Sequence, residues 1–106
     1  MKKAYVAGPY RAKTHYEIEQ NIRRAEAVAI ELWQKGYAVF CPHKNTAHFD
    51  GLCPDYVWLE GDLEWLVYAD VLVLVPGWEN SLGTLLEREE AERLGIEIKE
   101  WGKDEL

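Results

Sequence analysis

The sequence predicts an α/β fold: a small Rossmann-like, three-layer domain with a four-stranded, mostly parallel sheet in the order β-α-β-loop-α-β-α-β. Three observations carry this. Val71-Leu-Val-Leu-Val75 is an unbroken run of β-favouring aliphatics, the pattern of a strand buried on both faces. Short strand-like segments alternate with longer stretches of helical period, which makes βαβ units with right-handed crossovers. The run at 71–75 stops at Pro76-Gly77 and opens a helix capped by Asn80 or Ser81, a corner whose N–H groups favour an anion.

The elements follow in order. Lys3-Ala-Tyr-Val-Ala7 is a short strand ended by Gly8-Pro9. Thr14 and Glu17 form a capping box, and Ile18, Ile22, Ala25, Ala29 and Leu32 make one apolar stripe on the long helix that follows. Arg23, Arg24, Glu26 and Glu31 lie off that stripe and read as a solvated face. Gly36 ends the helix, and Tyr37-Ala-Val-Phe-Cys41 is the second strand. Residues 42–54 read as one long irregular loop, a length that usually carries function. Asp55 is placed to cap a second helix reaching about Tyr68, with Leu59, Leu63 and Leu66 as its apolar stripe. After the 71–75 strand, a helix runs from Asn80 to Leu94 and ends at Gly95; Ile96–Trp101 is a final edge strand of alternating pattern.

With 106 residues and no linker or internal repeat, residues 1–106 read as a single domain. The net charge of −7 argues against a binder of duplex nucleic acid. Its distribution is uneven: residues 1–43 hold seven Lys and Arg against four acids, and 44–106 hold five against fifteen. A small phosphorylated ligand is compatible with that asymmetry. No apolar run approaches the roughly 18 residues of a membrane span, and the N-terminus does not resemble a signal peptide, so a cytoplasmic location is the expectation. Cys41, His43, His48 and Cys53 invite a zinc reading. They lack a Cys-x-x-Cys clip, however, and Cys41 at the end of a buried strand behaves as a small hydrophobe; no metal and no cofactor are expected.

Chemistry is expected where strand ends converge. Gly8 permits close backbone approach, Arg11 can grip a phosphate or carboxylate, and Ser81 adds a hydroxyl at a helix N-terminus. No glycine-rich dinucleotide fingerprint or Walker sequence is present. Asp62 and Glu87 stand on the helices flanking the 71–75 strand, and a carboxylate pair is the equipment of glycosyl transfer. Glu87 lies six residues after Ser81, about 9 Å along a helix axis. That matches the separation between a sugar's 5′-phosphate and its anomeric carbon.

Tyr5-Val-Ala-Gly-Pro-Tyr-Arg11, Asp62-Leu-Glu-Trp-Leu…Ala-Asp70 and Ser81-Leu-Gly-Thr-Leu-Leu-Glu87 resemble the nucleoside 2-deoxyribosyltransferase superfamily, which includes the 2′-deoxynucleoside 5′-phosphate N-hydrolases. The short length and Leu-Val-Pro-Gly-Trp-Glu-Asn-Ser look like the DUF4406-type branch. The resemblance implies N-glycosidic hydrolysis or deoxyribosyl transfer on a 2′-deoxynucleoside or its 5′-monophosphate. Glu87 would be the nucleophile, Tyr5 its orienting partner and Asp62 the acid beside the departing base. Gly8, Arg11, Ser81 and Gly83 would form the phosphate and sugar wall, and a homodimer or higher homo-oligomer is implied. Base recognition is assigned to His43, Asn45, His48, Phe49 and Trp78. The chain departs from the relatives at Pro9, Leu85 and Glu89, the first replacing a Ser and the others smaller residues. Leu85 and Glu89 favour the alternative, a non-catalytic nucleotide-binding sensor or regulatory module of the same fold, and Pro9 bears on phosphate selectivity.

Overall fold

A computed structural model describes all of residues 1–106. Its elements are β1 (Lys3–Ala7), α1 (His15–Gln34), β2 (Ala38–Phe40), α2 (Pro42–Asn45), α3 (Asp55–Leu66), β3 (Val71–Leu74), a 3-10 turn (Trp78–Asn80), α4 (Leu82–Leu94) and β4 (Glu97–Glu100). The four strands pair in the order β2-β1-β3-β4, all parallel, with Tyr5 opposite Phe40 on one side and Leu72 on the other.

Alternation along the central strands sorts the core into two faces. Ala4, Val6, Val71, Val73 and Val75 pack against Ala25, Val28, Ala29 and Leu32 of α1. Tyr5, Ala7, Leu72 and Leu74 face the other way, against Leu66 of α3 and Ala91 of α4. The result is the expected three-layer sandwich, with α1 on one side and α3 and α4 on the other. Tyr5 is thereby aimed at α4 by its place in the strand's period.

Helix boundaries follow local chemistry. Thr14 caps α1 by accepting from Glu17 N, and Gly36 (φ 95°) follows Lys35 at its end. Ser81, of the two candidates, caps α4 by accepting from Thr84 N; Asn80 closes the 3-10 turn instead. Two expectations fail. Residues 42–54 are not wholly irregular, because Pro42 at a first helical position starts the one-turn α2. Asp55 does not cap α3: Pro54 holds the cap position, Asp55 begins the helix, and its carboxylate turns to Arg11. The helix also ends at Leu66, and of its three-leucine stripe only Leu66 is buried, because Leu59 opens onto a cleft.

Candidate active site

The sheet order reverses direction between β1 and β3, which leaves a crevice at their C-terminal ends. A cleft of about 530 Å³ occupies that point. Its walls are the β1 exit at 6–11, the first turns of α4, and residues of α2, α3 and the 46–55 segment. Gly8 holds the floor closed: a Cβ there would lie 2.6 Å from Val75 Cβ, so glycine lets the two strand exits run side by side. Its necessity is packing between strands. Gly83 is the opposite case, for a Cβ there would meet no atom within 4 Å, and the residue lines the cleft.

At the buried end, the Tyr5 hydroxyl donates a short hydrogen bond to Glu87 Oε2. Both side chains are almost fully buried, Glu87 at 7% exposure and Tyr5 at 1%. Glu87 comes from α4 and is brought down onto the sheet by helical period, three residues after buried Thr84 and four before buried Ala91. Burial pushes the Glu87 carboxyl up to about 8; the Tyr5 hydrogen bond pulls the other way, and Asp62 adds to the rise. Tyr5 is held well above its ordinary value, first by burial and then by the Glu87 charge. Asp62 of α3 lines the same cleft and is raised to about 6 by burial. Between about pH 6 and 8 the two carboxyl groups together hold one proton, which burial favours on Glu87, so a free Glu87 carboxylate requires that proton to stand on Asp62. Such a pair can supply one nucleophile and one acid.

The outer end is built from charges. Arg11 donates from Nη1 to Asp50 Oδ2 at 2.5 Å and pairs through Nη2 with Asp55. Tyr10 donates its hydroxyl to Asp50 Oδ1 at 2.5 Å, and the Tyr10 carbonyl accepts from Asn21 Nδ2 of α1. Against the opposing effect of burial, the Tyr10 and Arg11 hydrogen bonds hold Asp50 below its ordinary value. Tyr10 itself rises to about 12 through burial and the Asp50 bond. This chain of contacts straps the 46–55 segment across the β1 exit.

The predicted residues divide cleanly. Glu87, Asp62, Gly8, Arg11, Ser81, Gly83 and His43 line one cleft, with Tyr5 beneath it bonded to Glu87. Arg11, assigned to a phosphate, is already paired with two carboxylates. His43 does not present its imidazole to a ligand: Nε2 donates to the Pro9 carbonyl at 2.8 Å, Nδ1 is buried without a partner, and burial lowers its basicity. Asn45, His48, Phe49 and Trp78, assigned to base recognition, fall outside the cleft lining. Asn45 lies by a separate shallow groove, and His48 (φ 66°) sits near Glu19 on the surface. Phe49 leans on Trp58. Trp78 packs against the core, donates to Glu100 Oε1 at 3.1 Å and carries Arg88 over its ring.

Leu85 and Glu89, two residues either side of Glu87, are exposed and lie away from the cleft, since a two-residue step is about 200° of helical turn. The two substitutions that favour a catalytically silent module therefore lie off the face of α4 that carries Glu87 into the cleft. Asp70, at the end of the Asp62–Asp70 motif, accepts from Lys3 N at 2.7 Å at the N-terminal end of the two central strands, opposite the cleft. Cys41, His43, His48 and Cys53 do not assemble: both thiols are free, Cys41 is raised to about 11 by burial, and no group of three His, Cys, Asp or Glu could hold a metal. Sequence reasoning missed the Tyr10–Asp50 and Arg11–Asp55 contacts. The unbalanced Arg11 was a signal that counter-charges existed, but their positions some forty residues away were not legible.

Residues 2–100 match the family described as "Domain of unknown function (DUF4406)". No curated protein matches the chain. Among solved structures, a chain described as "2-desoxiribosyltransferase from Leishmania mexicana" superposes with a TM-score of 0.66 at 16% sequence identity, covering 98% of this chain. The chain spans 66% of that protein's length. The likeness is one of fold. No helix is long and apolar enough to cross a membrane.

Proposed function

The chain belongs to the DUF4406 family, and from its site we propose that it cleaves the N-glycosidic bond of a 2′-deoxynucleoside or its 5′-monophosphate through a glycosyl-enzyme intermediate. The single observation that carries this reading is the buried Tyr5–Glu87 pair facing the same cleft as Asp62. In the first step a Glu87 carboxylate oxygen bonds to C1′ as the C1′–N bond breaks, and the base leaves with a proton from Asp62. In the second, water or another base attacks C1′, gives up a proton to the Asp62 carboxylate, and breaks the C1′–O bond to release Glu87. The reaction needs no metal or cofactor.

The geometry supplies reasons for each role. Tyr5 donates to one Glu87 oxygen, which favours the carboxylate over the acid and leaves the other oxygen to attack. Desolvation makes that carboxylate a stronger stabiliser of the positive charge that develops on the sugar. Asp62, less buried and raised to about 6, can hold a proton near neutrality. The likeness of fold to a protein described as a 2-desoxiribosyltransferase supports the same substrate class. A homo-oligomer and a cytoplasmic setting are part of the proposal; Trp65, Val67 and Tyr68 leave apolar surface exposed at and beyond the end of α3, and sedimentation of the purified protein checks the assembly.

The test is chromatography of free base released from a panel of 2′-deoxynucleosides and their 5′-monophosphates, with and without an acceptor base. Release that disappears in Glu87→Gln is the expected result. Turnover that survives the substitution removes Glu87 from the mechanism, and binding without turnover across the panel makes the protein a sensor.

A further inference from the structure

Resting on that reading, we infer that the site selects the unphosphorylated nucleoside: Asp50 and Asp55, gripping Arg11 from two sides, make the sugar's 5′ end a seat for a hydroxyl rather than a phosphate. Arg11 is the one Lys or Arg side chain that lines the cleft, whereas Asp50, Asp55, Asp62 and Glu87 all line it. The cleft therefore carries more negative than positive charge before any ligand enters. Two carboxylates already offset the single Arg11 charge, Asp50 at Nη1 and Asp55 at Nη2, although three of its five N–H donors stay free.

A phosphate dianion at Arg11 would have to compete with both carboxylates and sit beside their charges. Asp50 cannot simply swing aside, because Tyr10 donates to its other oxygen and Asn21 fixes Tyr10 in turn. Like charges would then be left side by side in a partly enclosed site. Other anion donors are few. Pro9 has no N–H, which leaves the α4 N-terminus and the Ser81 hydroxyl, whose oxygen accepts from Thr84 N and the Thr84 hydroxyl at 3.2 and 2.9 Å. A 5′-hydroxyl fits these groups better. It can donate to an aspartate and accept from the α4 N-terminus or the Ser81 hydroxyl.

The distance to the nucleophile makes the same choice. The phosphate end of the cleft lies about 9 Å from Glu87 along α4. A dianion at that range would favour the protonated form of Glu87, already raised to about 8, still further and so reduce the carboxylate fraction that can attack. Asp50 and Asp55 are on this account specificity residues, and Arg11 is a positioning residue that holds them.

The experiment uses two readouts on the full chain. Calorimetry measures binding of non-cleavable purine and pyrimidine 2′-deoxy C-nucleosides and their 5′-monophosphates; chromatography measures base release from the corresponding N-nucleosides and monophosphates. The unphosphorylated ligand is expected to bind, and to react in kcat/KM, about tenfold or more better than its monophosphate. The Asp50→Asn/Asp55→Asn variant, with its fold checked by circular dichroism, is expected to narrow that ratio by about tenfold by freeing Arg11. Asp55→Asn alone, on the more exposed partner, should narrow it in part, which guards against a double variant that fails to fold. Equal or tighter binding of the monophosphate overturns the inference, as does a ratio that none of the variants moves, or binding of neither ligand. Preferential binding of the free C-nucleoside without any base release upholds the inference and removes the proposed reaction.

Discussion

The two ends of the cleft are built on opposite physics. At the inner end, Tyr5 and Glu87 are buried against β3 and α4, and one hydrogen bond joins residues 82 positions apart. At the outer end, Arg11, Asp50 and Asp55 meet in solvent, with the Arg11 and Asp55 side chains 49% and 70% exposed. Burial perturbs Glu87 strongly, and its carboxylate is costly to the fold. The exposed pairs cost little and contribute little to stability. On the proposed reading, reactivity is stored where water is excluded, and discrimination is placed where a side chain can be exchanged without unfolding the protein. Substitutions at the two ends should therefore separate activity from stability in opposite ways.

Glu87→Gln should show the largest effect. Base release should fall by about 10³-fold or more, since no nucleophile remains. Stability should move the other way. A carboxyl whose folded pKa is raised to about 8 binds protons more tightly in the folded state, so its contribution is fully present below the unfolded value and lost as pH rises to about 8. Wild-type stability should accordingly decline between about pH 5 and 8, in part also through Asp62. Glu87→Gln should flatten that decline and be more stable at pH 8 by on the order of 1–3 kcal/mol, as read from urea unfolding at several pH values. A variant that is less stable at pH 8 would contradict the account of Glu87 as a desolvated charge.

Tyr5→Phe sharpens the same end. It removes the hydrogen bond that favours the carboxylate while keeping the ring against Phe40, at 5.5 Å between centroids. Activity should fall about 10- to 100-fold. The wild-type profile of kcat/KM should be bell-shaped. Its acid limb lies near pH 6, where the pair takes a second proton, and its alkaline limb near pH 8, where it loses the last one. With the Tyr5 bond gone, Glu87 holds its proton more tightly, and the alkaline limb should move to higher pH. A limb that stays in place would mean that Tyr5 does not act through Glu87.

How much of this was legible in the sequence follows the same division. The 71–75 run, the Thr14 capping box and the glycines after α1 and α4 are local signals, and each fixed its element because the chemistry acts within a few residues. The strand period that faces Tyr5 toward α4 and the helical period that lowers Glu87 onto the sheet are also local, but their pairing with each other was implied by the family resemblance and not by spacing. The outer end was not legible. Asp50-Gly51 reads as a turn and Asp55 as a cap, and only tertiary placement brings both to Arg11. Trp78 shows the converse error: an aromatic after a strand end reads as a stacking surface, but its indole is spent on Glu100 and the core. Polar and aromatic side chains in loops have too many available partners for spacing to decide among them.

The two glycines of the cleft give a finer comparison, because alanine adds one methyl group to each with contrary results. At Gly8 the new Cβ would lie 2.6 Å from Val75 Cβ, an atom fixed to the backbone of the neighbouring strand exit. Gly8→Ala should cost about 1–3 kcal/mol by overpacking and lower activity mainly by loosening the protein. At Gly83 the Cβ would meet nothing within 4 Å and would project from the first turn of α4 where that helix lines the cleft. Gly83→Ala should raise stability by about 0.5–1 kcal/mol, the ordinary gain of alanine over glycine in a helix. It should nevertheless reduce kcat/KM by about tenfold, through KM more than kcat, by occupying space meant for the sugar. Thermal unfolding and steady-state kinetics on the pair separate a glycine that the fold requires from one that the ligand requires. If Gly83→Ala bound substrate as well as the wild type, the sugar would have to lie away from the α4 N-terminus, and the distance from there to Glu87 would lose its meaning as a measure of the substrate.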